Sequence, residues 1–357
     1  MKLSQLDYHL NKEFIAQFPA SPRDHSRLLE IDRRKGLISH QHFYELPNLL
    51  NPNDVLVFNQ SKVLPARLIG KRKTGGKAEI LLLKKISASL WEVITKPGFS
   101  IGDKIYFEDF EATIRNRKNY ITEVEFSISD QKFRKKIKDL GHTPLPPYIK
   151  TPKPEKILKK EYQTVYAKVL GSSAAPTAGL HFTKRLLKKL KEKGVQLEFL
   201  TLHVGLGTFA PIKQDAIAKH KIHSEFFDLP NGVATRLNDA KSSGKRIIAV
   251  GTTTCRVIET CAYLENKNLK SYILHPTSSY SNLFIYPPHK FKFVDGLITN
   301  FHLPKSTLLA LVCAFVSYPN TPYKFKDFST SLIGKAYSEA LNKNYRFYSF
   351  GDACLVL

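Results

Sequence analysis

At 357 residues the chain is too long for one small core and predicts two domains; 42% hydrophobic content marks it as globular rather than disordered. No apolar run approaches the ~18 residues of a membrane span, and Met1–Asp7 lacks the apolar core of a secretion signal, so neither is expected. The net charge of +24 points to a polyanionic partner, nucleic acid first, although lysine-rich composition alone also yields basic proteins.

No RRM, KH or zinc-finger signature is present, so nucleic-acid binding would belong to an enzyme-like surface. Cys255, Cys261, Cys313 and Cys354 lie far apart, with no Cys-x-x-Cys pair. That spacing argues against a zinc knuckle or disulfide framework and for a reducing cytoplasm; no metal is expected.

In chain order, Arg23 and Arg27 flank an Asp24-His25-Ser26 turn. Two guanidinium forks suit a phosphate or carboxylate, but a surface ion-pair cluster is the reading preferred. Val55–Asn59 reads as a buried strand ending on a polar side chain, which singles out Asn59 and Ser61. Short β-patterned runs follow at 66–69, 78–83, 90–95, 104–107, 111–114 and 121–128, separated by Gly-rich turns. Such punctuation predicts a small antiparallel barrel or sandwich. Residues 66–160 hold 22 Lys and Arg against 11 Asp and Glu, an excess of eleven. Thr143–Tyr148, with three prolines, reads as a stiff linker. The chain thus divides into an α/β domain of residues 1–65 and 155–357 and an inserted, basic β domain of 66–154.

Gly171–Thr183 is the segment around which the rest is organised. Its small residues, glycines and proline form neither helix nor strand interior, yet it carries no charge to keep it in water. Thr183 can cap a following helix through Leu186, Leu187 and Leu190, and Gly194 can close it. The prediction is a buried loop that brings Thr177, Gly179 and His181 close to a ligand, or a turn that merely lets two elements touch. Val195–Leu202 then reads as a strand emptying into His203-Val204-Gly205-Leu206-Gly207, a Gly-x-Gly turn without the rest of the dinucleotide fingerprint. His220, His223 and Glu225 have histidines three apart, which alone does not make a metal site; hydrogen bonding is the reading taken.

Arg246–Val250 reads as a buried strand leading through Gly251 into a helix that opens with Thr252, Thr253, Thr254 and Arg256. Free N–H groups, hydroxyls and a guanidinium there suit an anion. Leu283–Pro287 and Phe293–Ile298 read as strands. Asn300, His302, Lys305 and Ser306 then precede an apolar, internal helix over Leu308–Phe315. Tyr345–Ala353 reads as a final strand and turn with an Arg346/Asp352 pair. No nucleophile elbow or Walker loop is present, so serine-type hydrolases and P-loop enzymes are not expected.

Four motifs carry a resemblance: Ala174–Phe182, His203–Phe209, Asp295–Ser306 and Tyr345–Phe347. Across essentially the whole chain they resemble the S-adenosylmethionine:tRNA ribosyltransferase-isomerases of queuosine biosynthesis. The resemblance implies a large, partly barrel-like α/β domain interrupted by a small antiparallel β-barrel. It also implies transfer of the ribosyl unit of S-adenosylmethionine to an aminomethyl-deazaguanine base at the tRNA wobble position. Epoxyqueuosine forms; adenine and methionine leave. S-adenosylmethionine is then a consumed substrate rather than a cofactor, and the implied partner is tRNA carrying the deazaguanine precursor in its anticodon. A cytoplasmic monomer without membrane contact is expected.

Such chemistry needs weak bases and a proton donor, duties that suit histidine. His181 and His203 are the first choices, with His223, His302 and Asp352 in reserve. Asn59, Thr177, Gly179, Gly205, Gly207, Glu225, Thr252, Thr253, Thr254, Arg256, Asn300, Lys305, Ser306 and Arg346 are the candidate substrate-binding residues. Where relatives usually read Phe-Asn-Asp-Thr, this chain has Phe58-Asn59-Gln60-Ser61, which removes a carboxylate.

Overall fold

The computed structural model describes every residue except 119–120, 206–211, 213, 221 and 266–271, and residues 263–265 by backbone only. Gly207 and most of the Gly-x-Gly turn therefore lie outside the described residues. The chain begins with the antiparallel pair β1 (Arg27–Asp32) and β2 (Leu37–His42), a short helix α1 (Leu46–Leu49), and strands β3 (Asp54–Asn59) and β4 (Ser61–Val63). Every residue of β3 is buried, because the strand is covered on both faces. Val55 and Val57 enter one core, while Leu56 and Phe58 enter a second on the opposite face. A period of two in side-chain direction makes both faces apolar at once.

Six strands follow: β5 (Arg67–Lys71), β6 (Lys77–Lys85), β7 (Leu90–Thr95), β8 (Lys104–Tyr106), β9 (Glu111–Lys118) and β10 (Ile121–Phe126). They close into an antiparallel barrel in the order β10-β7-β6-β5-β8-β9, matching the short β-patterned runs. Alternate residues such as Leu68, Ile80, Leu82, Val93, Ile114 and Val124 fill its interior, a core separate from the other two. Helix α2 (Asp130–Leu140) plugs one side, its Phe133 ring stacked on Phe126 with centroids 3.9 Å apart.

The chain returns through α3 (Glu155–Glu161) and β11 (Val169–Ser172), which pairs in parallel with β4. After a turn of 3-10 helix at Thr177–His181 comes α4 (Lys184–Glu192), capped by the Leu186 N–H donating to Thr183 Oγ1 at 3.1 Å. Gly194 leaves the helix at φ +90, a conformation glycine adopts without steric cost. Then follow β12 (Gln196–Leu202), β13 (Glu225–Leu229), α5 (Asn231–Ser242), β14 (Arg246–Val250), α6 (Thr252–Glu265), β15 (Thr277–Ser281) and β16 (Gly296–Asn300). Helices α7 (Thr307–Phe315) and α8 (Leu332–Asn342) and strand β17 (Ala353–Val356) complete the chain.

The main sheet has nine strands in the order β15-β13-β12-β3-β14-β16-β17-β1-β2. β12, β3, β14 and β16 are mutually parallel at its centre; antiparallel pairs flank them. Side chains of α5 to α8 build the core on one face, and those of α4 the core on the other. Among the described residues no helix is long and apolar enough to cross a membrane.

Three local expectations need correction. Leu283–Pro287 is not a strand; Leu283, Phe284 and Tyr286 pack as irregular chain against the first core. At the C-terminus the order is turn, then strand, because Arg346 and Asp352 hold the turn closed ahead of β17. The proline-rich passage after α2 is no free spacer but a docked strap. Gln17 donates to the Tyr148 carbonyl at 3.0 Å and accepts from Lys150 N–H at 2.7 Å, and Tyr148 Oη lies 2.7 Å from Ser349 Oγ.

Candidate active-site cleft

A cleft of about 1820 Å³ separates the barrel from the main sheet. From the barrel side β6, β7 and α2 supply Lys84, Lys85, Trp91, Arg134 and Lys138; β4, α3, β11 and β13 supply the facing wall. Among the described residues, eleven of its lining side chains are Lys or Arg, against two acids, Glu92 and Glu225. A concave surface of one charge sign focuses field and concentrates an oppositely charged partner. The basic excess of the sequence thus acquires a location.

His203 stands on this wall, immediately after β12. Its Nδ1 is 2.8 Å from Ser61 Oγ, and its ring lies against Phe226 at 5.7 Å between centroids. The face of the ring also rests on Gly171, where an added Cβ would fall 2.5 Å from the imidazole. Burial lowers its pKa from 6.5, because the charged form loses hydration. Beside it, Glu225 accepts the Gly205 N–H at 2.6 Å and forms an ion pair with Arg256. Both members of that pair are buried, and burial pushes the Arg256 guanidinium down to about 10. His223 lines the same wall and is exposed. His203, Gly205, His223 and Glu225 are therefore brought together by the crossing from β12 to β13.

The other candidates are not among the described residues that line this cleft. His181 is buried, with Nδ1 at 2.8 Å from Ser26 Oγ and Nε2 receiving the Asn300 amide at 3.1 Å. Its ring stacks on Phe43 at 5.0 Å, and burial drives its pKa to about 4 despite the pull of Asp352. His302 is likewise buried, bonded through Nε2 to Thr299 Oγ1 at 2.8 Å, with its pKa driven to about 3. Asp352 accepts from the backbone amides of Arg27 and Arg346, at 3.0 and 2.8 Å, and pairs with both guanidiniums.

Asn59 is spent on Ser61 N–H and on both backbone groups of Leu202, locking the ends of β3 and β12 together. Ser306 caps α7, and Lys305 pairs with Asp7 at 2.7 Å. Thr254 bonds back to the Val250 carbonyl, while Thr252 and Thr253 are buried in the first turn of α6. Thr177 opens the 3-10 turn, and Gly179 packs so closely on Tyr166 that no Cβ fits. Arg23 and Arg27 do not act together on one anion: Arg23 binds carbonyls of Lys160, Glu161 and Gln163 at the end of α3, and Arg27 binds those of Lys343 and Asn344 and pairs with Asp352.

A family model described as queuosine biosynthesis protein matches residues 3–356. The chain belongs to the queuosine biosynthesis family. Among relatives of this family, the S-adenosylmethionine:tRNA ribosyltransferase-isomerase of Thermosipho melanesiensis is 46% identical over 362 residues, covering 100% of both chains. The enzyme of that name from Thermotoga maritima is 45% identical over 361 residues, again with 100% of each covered. A crystal structure of S-adenosylmethionine tRNA ribosyltransferase from Thermotoga maritima superposes with a TM-score of 0.55 and 34% identity, covering 99% of this chain and 100% of that one.

Sequence reading passed over Phe226 and Tyr280, which also line the cleft. Phe226 looks like an ordinary strand hydrophobe, and Tyr280 stands among serines and a threonine. Only the sheet order, which seats β15 beside β13, brings the two rings to His203.

Proposed function

We propose that this chain transfers the ribosyl unit of S-adenosylmethionine to the aminomethyl group of a deazaguanine base at the tRNA wobble position and isomerises it to epoxyqueuosine. Adenine and methionine leave. The observation that carries the reading is a lysine-rich cleft converging on an imidazole and a buried Glu–Arg pair, in a chain whose full length belongs to the queuosine family. S-adenosylmethionine is the consumed ribosyl donor, so the reaction calls for no separate cofactor, and the enzyme works as a cytoplasmic monomer.

The sulfonium acidifies the neighbouring ribose carbon, so a neutral imidazole can remove its proton. His203 takes that role. Its lowered pKa keeps it neutral, and in the tautomer whose Nδ1–H donates to Ser61 Oγ, which the 2.8 Å contact accommodates, the Nε2 lone pair is left for the proton. Glu225 fixes the Gly205 amide and Arg256, holding the wall on which His203 stands. His223, exposed on that wall, is placed for a second proton transfer. His181 and Asp352, whose polar atoms are taken by protein neighbours, hold strand ends and the C-terminal turn instead.

Release of free adenine from S-adenosylmethionine, measured with and without tRNA carrying the aminomethyl base, tests the reading. Adenine release that requires the modified tRNA supports it. Tight tRNA binding without adenine release would make the chain an RNA-binding protein and end the proposal.

A further inference from the structure

Tyr280 is 50% exposed on β15, an edge strand of the main sheet, and its strand neighbours are serine and threonine. Phe226 is its cross-strand partner on β13, with ring centroids 5.6 Å apart and planes at 71°. Phe226 in turn lies along His203, 5.7 Å away and inclined by 26°. The three rings form a continuous row from the exposed sheet edge to the imidazole, all on the cleft wall. From the opposite wall, Lys84 of β6 sets its ammonium 4.7 Å from the Tyr280 ring centroid. Among the described residues neither Phe226 nor Tyr280 belongs to any of the four hydrophobic cores. Core packing therefore gives no reason for two aromatic side chains here.

We infer that Tyr280, backed by Phe226, is a stacking platform for an unpaired base of the anticodon loop, setting the register in which the neighbouring base reaches His203. The inference rests on the reading above that the cleft receives tRNA. A nucleobase offers a π-face to the tyrosine, and its phosphate offers a charge to the eleven cationic side chains. An acidic peptide meets the charge but gives the ring row nothing to stack on. Lys84 covers the ring in the free protein, and its flexible stem lets the ammonium move to a phosphate when a base enters.

The probe is an anticodon stem-loop RNA with 2-aminopurine replacing one loop base at a time. Wild-type protein should bind it and change the fluorescence at one loop position. Tyr280→Ala should abolish that signal and weaken binding about 5- to 150-fold, the range that base–aromatic stacking contributes. Tyr280→Trp should restore both. The salt dependence of binding should keep its slope in Tyr280→Ala, which removes no charge, and lose ~0.7 to 0.9 in Lys84→Gln. Thermal melts of each variant establish folding.

Undiminished binding and fluorescence in Tyr280→Ala would overturn the platform, as would equal competition by fully paired RNA. Failure of the wild type to bind the stem-loop overturns it too, while adenine release from whole modified tRNA would still stand. Conversely, Tyr280-dependent binding without adenine release would keep the platform and remove the catalytic reading.

Discussion

Gly171 is where the proposed base can be disturbed without altering any titratable group. A methyl added at Gly171 would fall 2.5 Å from the His203 ring, so the imidazole must turn away from its present position. Misplacing a reacting group by about 1 Å can cost roughly 10²-fold in rate, and removing a positioned acid or base roughly 10²–10⁴-fold. Gly171→Ala should therefore lower adenine release by tens-fold, and His203→Ala by more, with melting temperatures close to wild type. Normal turnover in Gly171→Ala would mean that the ring position is immaterial and the proton goes elsewhere. His181 behaves differently in this reading. Its folded pKa of about 4, and that of His302 at about 3, lie below the ordinary 6.5 of an unfolded histidine. Between 6.5 and those values the unfolded chain binds more protons, so folding stability falls as pH falls. The loss reaches up to about 1.4 kcal/mol per pH unit for each histidine and levels off below the folded pKa. Above 6.5 both are neutral in either state and contribute no pH dependence. Thermal melts at pH 5 and 7.5 should show this slope in wild type and a weaker one in His181→Gln, which should also retain turnover. A pH-independent melt, or an inactive but stable Gln variant, would return His181 to the chemistry.

At the scale of elements, what was legible in the sequence is what local patterning alone determines. Continuous apolar runs marked β3 and β14, and alternation broken by glycine turns marked the barrel strands. The capped helix after Gly171–Thr183 was readable because capping depends on neighbours a few residues apart. Elements fixed by distant partners were not readable. Leu283–Pro287 has the composition of a strand, but hydrophobic packing takes up its side chains without any sheet pairing. Nor could spacing reveal that both nitrogens of His181 are taken by Ser26 and Asn300, from positions 26 and 300. The strap at Thr143–Lys150 is the same lesson in reverse: prolines suggested a stiff linker, while Gln17, Ser349 and Glu155 hold it down. That docking is testable. Limited trypsin digestion should attack the exposed hairpin around Lys71–Lys77 before Lys150, because cleavage requires backbone that can open. Glu155→Ala, which frees the Thr143 N–H now bonded at 2.6 Å, should advance cleavage at Lys150. Early cutting at Lys150 in wild type would mean that the strap is not held down in solution.

For the whole molecule, the question is whether the charge of +24 acts everywhere or in one place. A diffuse excess would make any three lysines equivalent for RNA binding. The cleft argues otherwise, since among the described residues eleven cationic side chains face two acids there. Lys71, Arg72 and Lys73 sit outside the cleft lining, and Arg72 is already engaged, with its guanidinium 3.9 Å from the Phe99 ring centroid and bonded to the Pro97 and Gly98 carbonyls. Lys62, Lys160 and Lys168 are exposed on the cleft wall. Each phosphate contact removed lowers the slope of log affinity against log salt by ~0.7 to 0.9. Changing the three cleft lysines to glutamine should therefore reduce the tRNA salt slope by about two to three, weakening binding most at low salt. The same change at 71–73 should leave the slope within about one of wild type. Filter binding across a salt series for both triple variants decides the matter. Equal losses would mean that tRNA feels only the overall charge, and a larger loss at 71–73 would move its footprint onto the outer face of the barrel.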